Sequence, residues 1–206
     1  MYLVDTDVIS NARKRTRANP GVRRFFRDAA AQGIPLFLSA VTIGELRQGV
    51  ETVRYRGGLA QATRLARWLG TITRDHADAI LPFDEEIAQI WGRLRVPHAE
   101  NPLDKQIAAT ALMYGLAVVT RNVPHYEPTG VAVQTLSRDR RRSRTYPPRR
   151  PWPGRYGERC ACPDSHPRAP IDRREHVGKH FRDVCGASPR QPRSGVPQHG
   201  GRVETY

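Results

Sequence analysis

Cysteine is scarce in this chain of 206 residues: there are 3, at Cys160, Cys162 and Cys185, and residues 1–159 hold none. A disulfide framework for that larger part is thereby excluded. Long apolar runs are missing too. No stretch approaches the roughly 18 consecutive apolar residues of a membrane span. A basic-then-apolar leader is also lacking, because Asp5 and Asp7 stand where it would begin. These absences point to a cytoplasmic protein with no membrane partner.

Acidic charge is in deficit, with 20 Asp/Glu against 34 Lys/Arg and a net charge of +14. The excess is uneven. Residues 1–137 carry 17 basic and 13 acidic side chains, whereas residues 138–206 carry 17 and 7. The first part is only mildly basic, so charge alone does not make it a nucleic-acid binder. The second has ten prolines and almost no aliphatic periodicity. It cannot bury enough apolar surface to offset the cost of ordering. We therefore read residues 1–137 as one domain and residues 138–206 as a disordered, Arg/Pro-rich tail, whose composition fits a frame-shifted extension. In that tail Cys160, Cys162, His176 and His180 approximate a zinc-ligand order. The first two are one residue closer than usual, and the apolar core between ligands is missing apart from Phe181, so no zinc site is expected.

Within residues 1–137 short apolar runs alternate with helical periodicity. Tyr2-Leu3-Val4 reads as a buried strand that ends at Asp5, and Asp7 to Ser10 enters a helix. Ile34 to Leu38 is a second strand, Ile80 to Phe83 a third, Ala117 to Thr120 a fourth and Val131 to Val133 a last. Phe25, Phe26, Ala29 and Ala30 recur at helical spacing. Residues 51–70 continue helical around an interruption at Gly57-Gly58, with Leu59, Leu65, Trp68 and Leu69 as core and Arg54, Arg56, Arg64 and Arg67 facing outward or toward a ligand. Asp84 caps a helix whose Ile87, Ile90, Trp91 and Leu94 form a buried face. Pro102 opens the next helix and Gly115 stops it. Pro124 to Pro128 reads as a loop. This alternation predicts a parallel sheet covered by helices.

Three acids fall at strand ends or at helix starts facing them: Asp5, Glu45 and Asp104. Converging carboxylates repel unless a cation neutralises them, and all-oxygen ligands suit Mg²⁺ or Mn²⁺ rather than zinc. Such a metal activates water and stabilises a phosphate under attack. The competing explanation is ordinary helix capping, since Thr42-Ile43-Gly44-Glu45 has capping-box spacing with Thr42 at the cap. The basic cluster of Arg13, Lys14, Arg15 and Arg17 is either a solvated loop or a contact to an RNA backbone.

Six segments, in order, resemble PIN-domain ribonucleases of the VapC toxin family. They are Leu3 to Ser10, Leu38 to Gly49, Leu81 to Asp84, Asp104 to Ala111, Val118 to Asn122 and Tyr126 to Val131. The resemblance implies a three-layer α/β/α sandwich with a central parallel sheet. It implies a Mg²⁺- or Mn²⁺-dependent endoribonuclease, the toxin of a type II toxin–antitoxin system, with Asp5, Glu45 and Asp104 as catalytic and metal-holding acids. A cognate antitoxin and a homodimer are the implied partners. RNA contacts fall to Arg121 and to Arg13, Lys14 and Arg15.

This chain departs from the family pattern. Asp7 stands where the family commonly has Asn. Asn122 and His125 stand where a fourth acid is often found. Asp7, Asn122 and His125 are accessory candidates, although His125 reads first as a loop histidine with no role. Two alternatives follow: a weakened PIN domain that binds RNA or antitoxin without cutting, and, from Asp5-Thr6-Asp7 alone, a phosphatase of the haloacid-dehalogenase type.

Overall fold

A computed structural model describes residues 1–136 and 145–147. The first strand, β1 (Tyr2–Val4), lies at the centre of the sheet, with β2 (Leu36–Ser39) on one side and β4 (Ala117–Thr120) on the other. A third strand, β3 (Ile80–Leu81), extends the β2 side, and β5 (Val133–Thr135) extends the β4 side. These five strands are parallel. A two-residue strand, β6 (Thr145–Tyr146), closes the β5 edge antiparallel, giving the order β3-β2-β1-β4-β5-β6. The sheet thus takes in two residues from beyond the boundary drawn at residue 137. The rest of the Arg/Pro-rich region, including the Cys160–His180 ligand pattern, lies outside the described residues.

Neighbouring residues along each strand enter different cores, as strand alternation requires. Leu3, Phe37, Val118 and Val133 face one layer, while Val4, Leu38 and Val119 face the other. Both faces are buried, which is why the strands read as unbroken apolar runs rather than as alternating ones. The second layer packs against α1 (Thr6–Ala12), α2 (Pro20–Ala31), α3 (Ala40–Tyr55) and α4 (Leu59–Asp75) through Val8, Phe26, Leu46 and Leu69. The first packs against α6 (Pro102–Met113) and α7 (Val123–Tyr126), and α5 (Glu85–Leu94) lies on α6 through Ile87, Ile90 and Ala109. The result is the expected three-layer sandwich.

Local chemistry sets the boundaries. Gly115 takes a φ of +62°, and Leu116 N–H then donates to Ala111 C=O at 2.8 Å, the bond that closes a helix end. Asp84 caps α5 by accepting from Ile87 N–H at 3.0 Å. Several expectations need correction. Helix α3 is capped by Ser39, which accepts from Val41 N–H at 3.2 Å, not by Thr42, which lies inside the helix and is buried. Leu59 is 64% exposed rather than core, because it opens α4 at the outer end of the α3–α4 hairpin. Residues 124–128 are not loop: α7 and a following 3-10 turn, Glu127–Thr129, run through them, each with its proline in the first turn where no N–H is needed. The last parallel strand starts two residues later than expected, after a buried Val131.

Candidate active site

Parallel strands present their carboxyl ends to one edge of the molecule, and a crevice forms where the strand order reverses. Here that point lies between β1 and β4. Asp5 follows β1, Thr120 ends β4, and α3 begins directly after β2. Helix α6 brings Asp104 in its first turn.

Asp5 is 3% exposed. It caps α1 by accepting from Thr6 N–H at 2.6 Å on Oδ1, and its Oδ2 accepts from the Thr120 hydroxyl at 2.6 Å. The Thr6 hydroxyl donates to Glu45 Oε2 at 2.5 Å. Glu45 therefore reaches back to the first helix instead of completing a capping box, and the structural explanation weighed for it falls away. On the other side, Asn122 N–H donates to Thr120 Oγ1 at 2.9 Å. His125 Nδ1 lies within hydrogen-bond distance of both Asp104 Oδ2, at 2.7 Å, and the Asn122 side-chain amide, at 2.6 Å. The buried Tyr126 hydroxyl donates to Asp104 Oδ1 at 3.5 Å and also lies against Asp5. A continuous polar chain runs from Glu45 through Thr6, Asp5, Thr120, Asn122 and His125 to Asp104.

His125 is therefore not a loop histidine without contacts. The helical turn over residues 123–126 aims it at the third acid. Sequence reasoning also missed Thr6, Thr120 and Tyr126. Only their adjacency to Asp5, to Arg121 and to His125 could have marked them, since a threonine or tyrosine carries no signal of its own.

The electrostatics follow from burial. Asp5 is held above the usual carboxylate range, first by desolvation and then by the negative charge of Asp104, with the Thr120 hydroxyl opposing. Glu45 is raised by desolvation and, to a lesser degree, by Asp5 and Asp104. Among the described residues no basic side chain forms an ion pair with Asp5 or Glu45, and Asp104 pairs only with His125. Asp7 adjoins this set through Asp5. Its neighbours are Asp5 and the Arg121 guanidinium, whose Nε is 3.6 Å from Oδ2. Burial and Asp5 push Asp7 up to about 7 against the pull of Arg121, and its Oδ1 is buried with no hydrogen-bond partner. Arg13, Lys14 and Arg15 lie at the far end of α1, away from the acids.

The donor set is hard oxygen throughout, and it concentrates negative charge that lacks a cation. That chemistry fits Mg²⁺ or Mn²⁺, which is commonly held by one or two carboxylates while keeping several waters. The side chains as placed do not gather three His, Cys, Asp or Glu around one point among the described residues. A fully protein-made cage is therefore not what they offer.

Comparison with known proteins agrees with this arrangement. The PIN domain family matches residues 2–127. Toxin FitB of Neisseria gonorrhoeae is 33% identical over 138 residues, which cover 65% of this chain and 96% of FitB. VapC ribonuclease Y4jK of Sinorhizobium fredii is 31% identical over 139 residues, 65% of this chain and 95% of the relative. In solved structures, FitAB bound to a DNA fragment superposes with a TM-score of 0.54 at 30% identity, covering 66% of this chain and 94% of that one. The run Asp5-Thr6-Asp7 thus falls within a matched PIN domain, which displaces the phosphatase alternative. A central parallel sheet between two helical layers, three acids at its switch point and a family match over most of the described residues converge: this chain belongs to the PIN-domain family and is similar to the FitB and VapC toxins within it.

Proposed function

We propose that this protein is a divalent-metal-dependent endoribonuclease, the toxin of a type II toxin–antitoxin pair. One observation carries the reading: Asp5 at the cap of α1, Glu45 of α3 and Asp104 of α6 lie near enough for their charges to act on one another, and among the described residues no Lys or Arg pairs with any of them. Asp5 and Asp104 would hold Mg²⁺ or Mn²⁺, with Glu45 as a third ligand or as the group that orients the attacking water. When bound, such an ion lowers the pKa of water and neutralises charge on phosphate oxygens.

The chain's own residues do the rest. Asp5 is held by Thr6 N–H on Oδ1 and by the Thr120 hydroxyl on Oδ2. Glu45 Oε2 is engaged by Thr6, which leaves Oε1 to accept from a water. His125 and Tyr126 hold the two oxygens of Asp104. Arg121, 39% exposed beside the crevice, meets the RNA backbone. Arg13, Lys14 and Arg15 add positive charge at the far end of α1. The support for an antitoxin and for toxicity is the likeness to Toxin FitB, which has been solved in the FitAB complex. A homodimer rests on the family resemblance. No helix among the described residues is long and apolar enough to cross a membrane.

The testing experiment incubates the full chain, free of any antitoxin, with single-stranded RNA in Mg²⁺, Mn²⁺ or EDTA. Cleavage confined to the metal arms supports the reading. Tight RNA binding with no cleavage in any arm favours the non-cutting alternative, for which the replacement of a fourth acid by Asn122 and His125 is the motive. Thr120→Val removes the hydroxyl that links Asp5 to the Asn122 backbone while keeping the side chain's shape. Cleavage should fall about 10–100-fold, the usual cost of losing support behind a metal ligand. An unchanged rate would mean that Thr120 does not position Asp5.

A further inference from the structure

Part of the charged surface is accounted for locally. Arg27 pairs with Asp28, Arg47 and Arg54 with Glu51, and Arg74 with Asp75. Other cations are not, Arg56 and Arg93 among them, but six fall on two adjoining elements. Arg13, Lys14, Arg15 and Arg17 follow α1, and Arg64 and Arg67 stand on α4. None of the six has an acidic partner among the described residues. All but Arg13 are exposed.

The two groups meet. The Arg13 guanidinium lies over the Trp68 ring of α4, 5.7 Å from its centroid. Trp68 is half-buried and packs against the core beneath α1 and α2, so the ring is a fixed surface. Arg67 is its chain neighbour, and Arg64 lies one turn earlier on the same helix face. Stacking on indole holds a guanidinium in place while leaving its N–H groups available to an anion. Arg15 has a φ of +50°, a conformation uncommon for a residue with a side chain.

Position relative to the acids gives the platform a use. Asp5 caps the N-terminus of α1 and Arg13 closes its C-terminus, with 7 residues between. At about 1.5 Å per residue the cations begin about 12 Å from the acids. That separation is too great for contact with the phosphate being cut and suits phosphates further along the same strand.

We propose that Arg13, Lys14, Arg15, Arg17, Arg64 and Arg67, organised around the Arg13–Trp68 stack, form a backbone-binding platform for RNA outside the catalytic crevice. It makes substrate affinity depend on how far the RNA extends past the cut. The proposal rests on the reading of RNA as substrate. It adds α4 to the interface and assigns it phosphate contacts without base recognition.

The test uses the full chain in EDTA with a fluorescent oligouridylate of about 20 nucleotides, titrated across a KCl series. Arg64→Gln/Arg67→Gln removes two cations from an exposed helix face without touching the core or the acids. Each phosphate contact to a single strand contributes about 0.7 to the slope of log K against log salt, so the slope should flatten by about 1.4. In Mg²⁺ the same variant should raise KM on the long RNA and leave kcat, and the rate on a tetranucleotide, unchanged. Arg93→Gln, on α5 in the opposite layer, should leave the slope alone. An unchanged slope in the double variant overturns the platform. So does a flattening of about 0.7 with Arg93→Gln, the same per charge removed, which would mean that net charge alone is being read. Weaker binding of poly-L-glutamate with an unchanged RNA slope would assign the patch to an acidic protein segment and overturn it as well. The two readings separate cleanly. A chain that shows the flattened slope but cuts no RNA keeps the platform and loses the nuclease. A chain that cuts RNA with slope and KM unchanged keeps the nuclease and loses the platform.

Discussion

Asp5→Asn should abolish RNA cleavage and, in EDTA, raise the melting temperature. The two effects have one cause. Asp5 is buried, its charge is disfavoured by desolvation and by Asp104, and no cation among the described residues pairs with it. Asparagine keeps the volume, and its carbonyl still accepts from Thr6 N–H, so the cap on α1 survives. It removes a buried negative charge from a cluster of three. The metal-free protein therefore gains stability, by a few degrees at the roughly 2–4 °C per kcal/mol typical of a chain this size. Activity moves the other way. Losing a supporting residue behind a metal ligand costs about 10–100-fold, and losing the ligand's charge should exceed that, to about a thousandfold or more. Expressed without antitoxin, the variant should no longer arrest growth. Full toxicity would remove Asp5 from the catalytic set. A lower melting temperature in EDTA would mean that its carboxylate serves the fold more than the site.

The second large effect is thermal stabilisation of the wild-type chain by divalent cations. Three carboxylates that repel in the folded state and separate on unfolding make a site that binds the native form alone. A ligand at 100 times its dissociation constant then adds about 2.7 kcal/mol. For a chain of this length the melting temperature should rise by about 5–10 °C in saturating Mg²⁺ or Mn²⁺. NaCl at matched ionic strength should give much less, since screening does not bridge carboxylates. Asp104→Asn should lose most of the shift, and Asp7→Asn less of it, because Asp7, although beside Asp5, already pairs with Arg121. Equal shifts in Mg²⁺ and matched NaCl would leave the acids without a bound ion. An Asp7→Asn variant as impaired as Asp104→Asn would move the ion's seat toward α1.

The sheet was legible because its strands are short apolar runs with hard stops. Tyr2 to Val4 ending in Asp5, and Ala117 to Thr120 ending at Arg121, each state a beginning and an end. The place of Asp5 at a strand end was legible for the same reason. What failed was reading polar side chains by local spacing. Thr42 and Glu45 have the capping-box interval, but Ser39 sits earlier and closer to the end of β2, and it takes the cap. Glu45 was then free to pair with Thr6, 39 residues away, which no local pattern encodes. The segment from Pro124 to Pro128 looked like loop because proline is usually read as a breaker, whereas both prolines occupy first-turn positions. With that correction His125 moves from loop to helix, where it faces Asp104. Leu59 followed helical periodicity correctly and still faces solvent, because period fixes the face of a helix and not what covers its end.

The central place of β1 also sets a schedule. Its partners are Leu36 and Phe37 on one side and Ala117 to Val119 on the other, so the first strand made is among the last to be fully paired. Asp5 leaves the ribosome early and Asp104 late. At about 5–20 residues per second, about 6–23 s pass between synthesis of β1 and of β4. Throughout that interval the acids belong to a chain that cannot yet bring them together, and the nascent protein carries its reactive groups without a site.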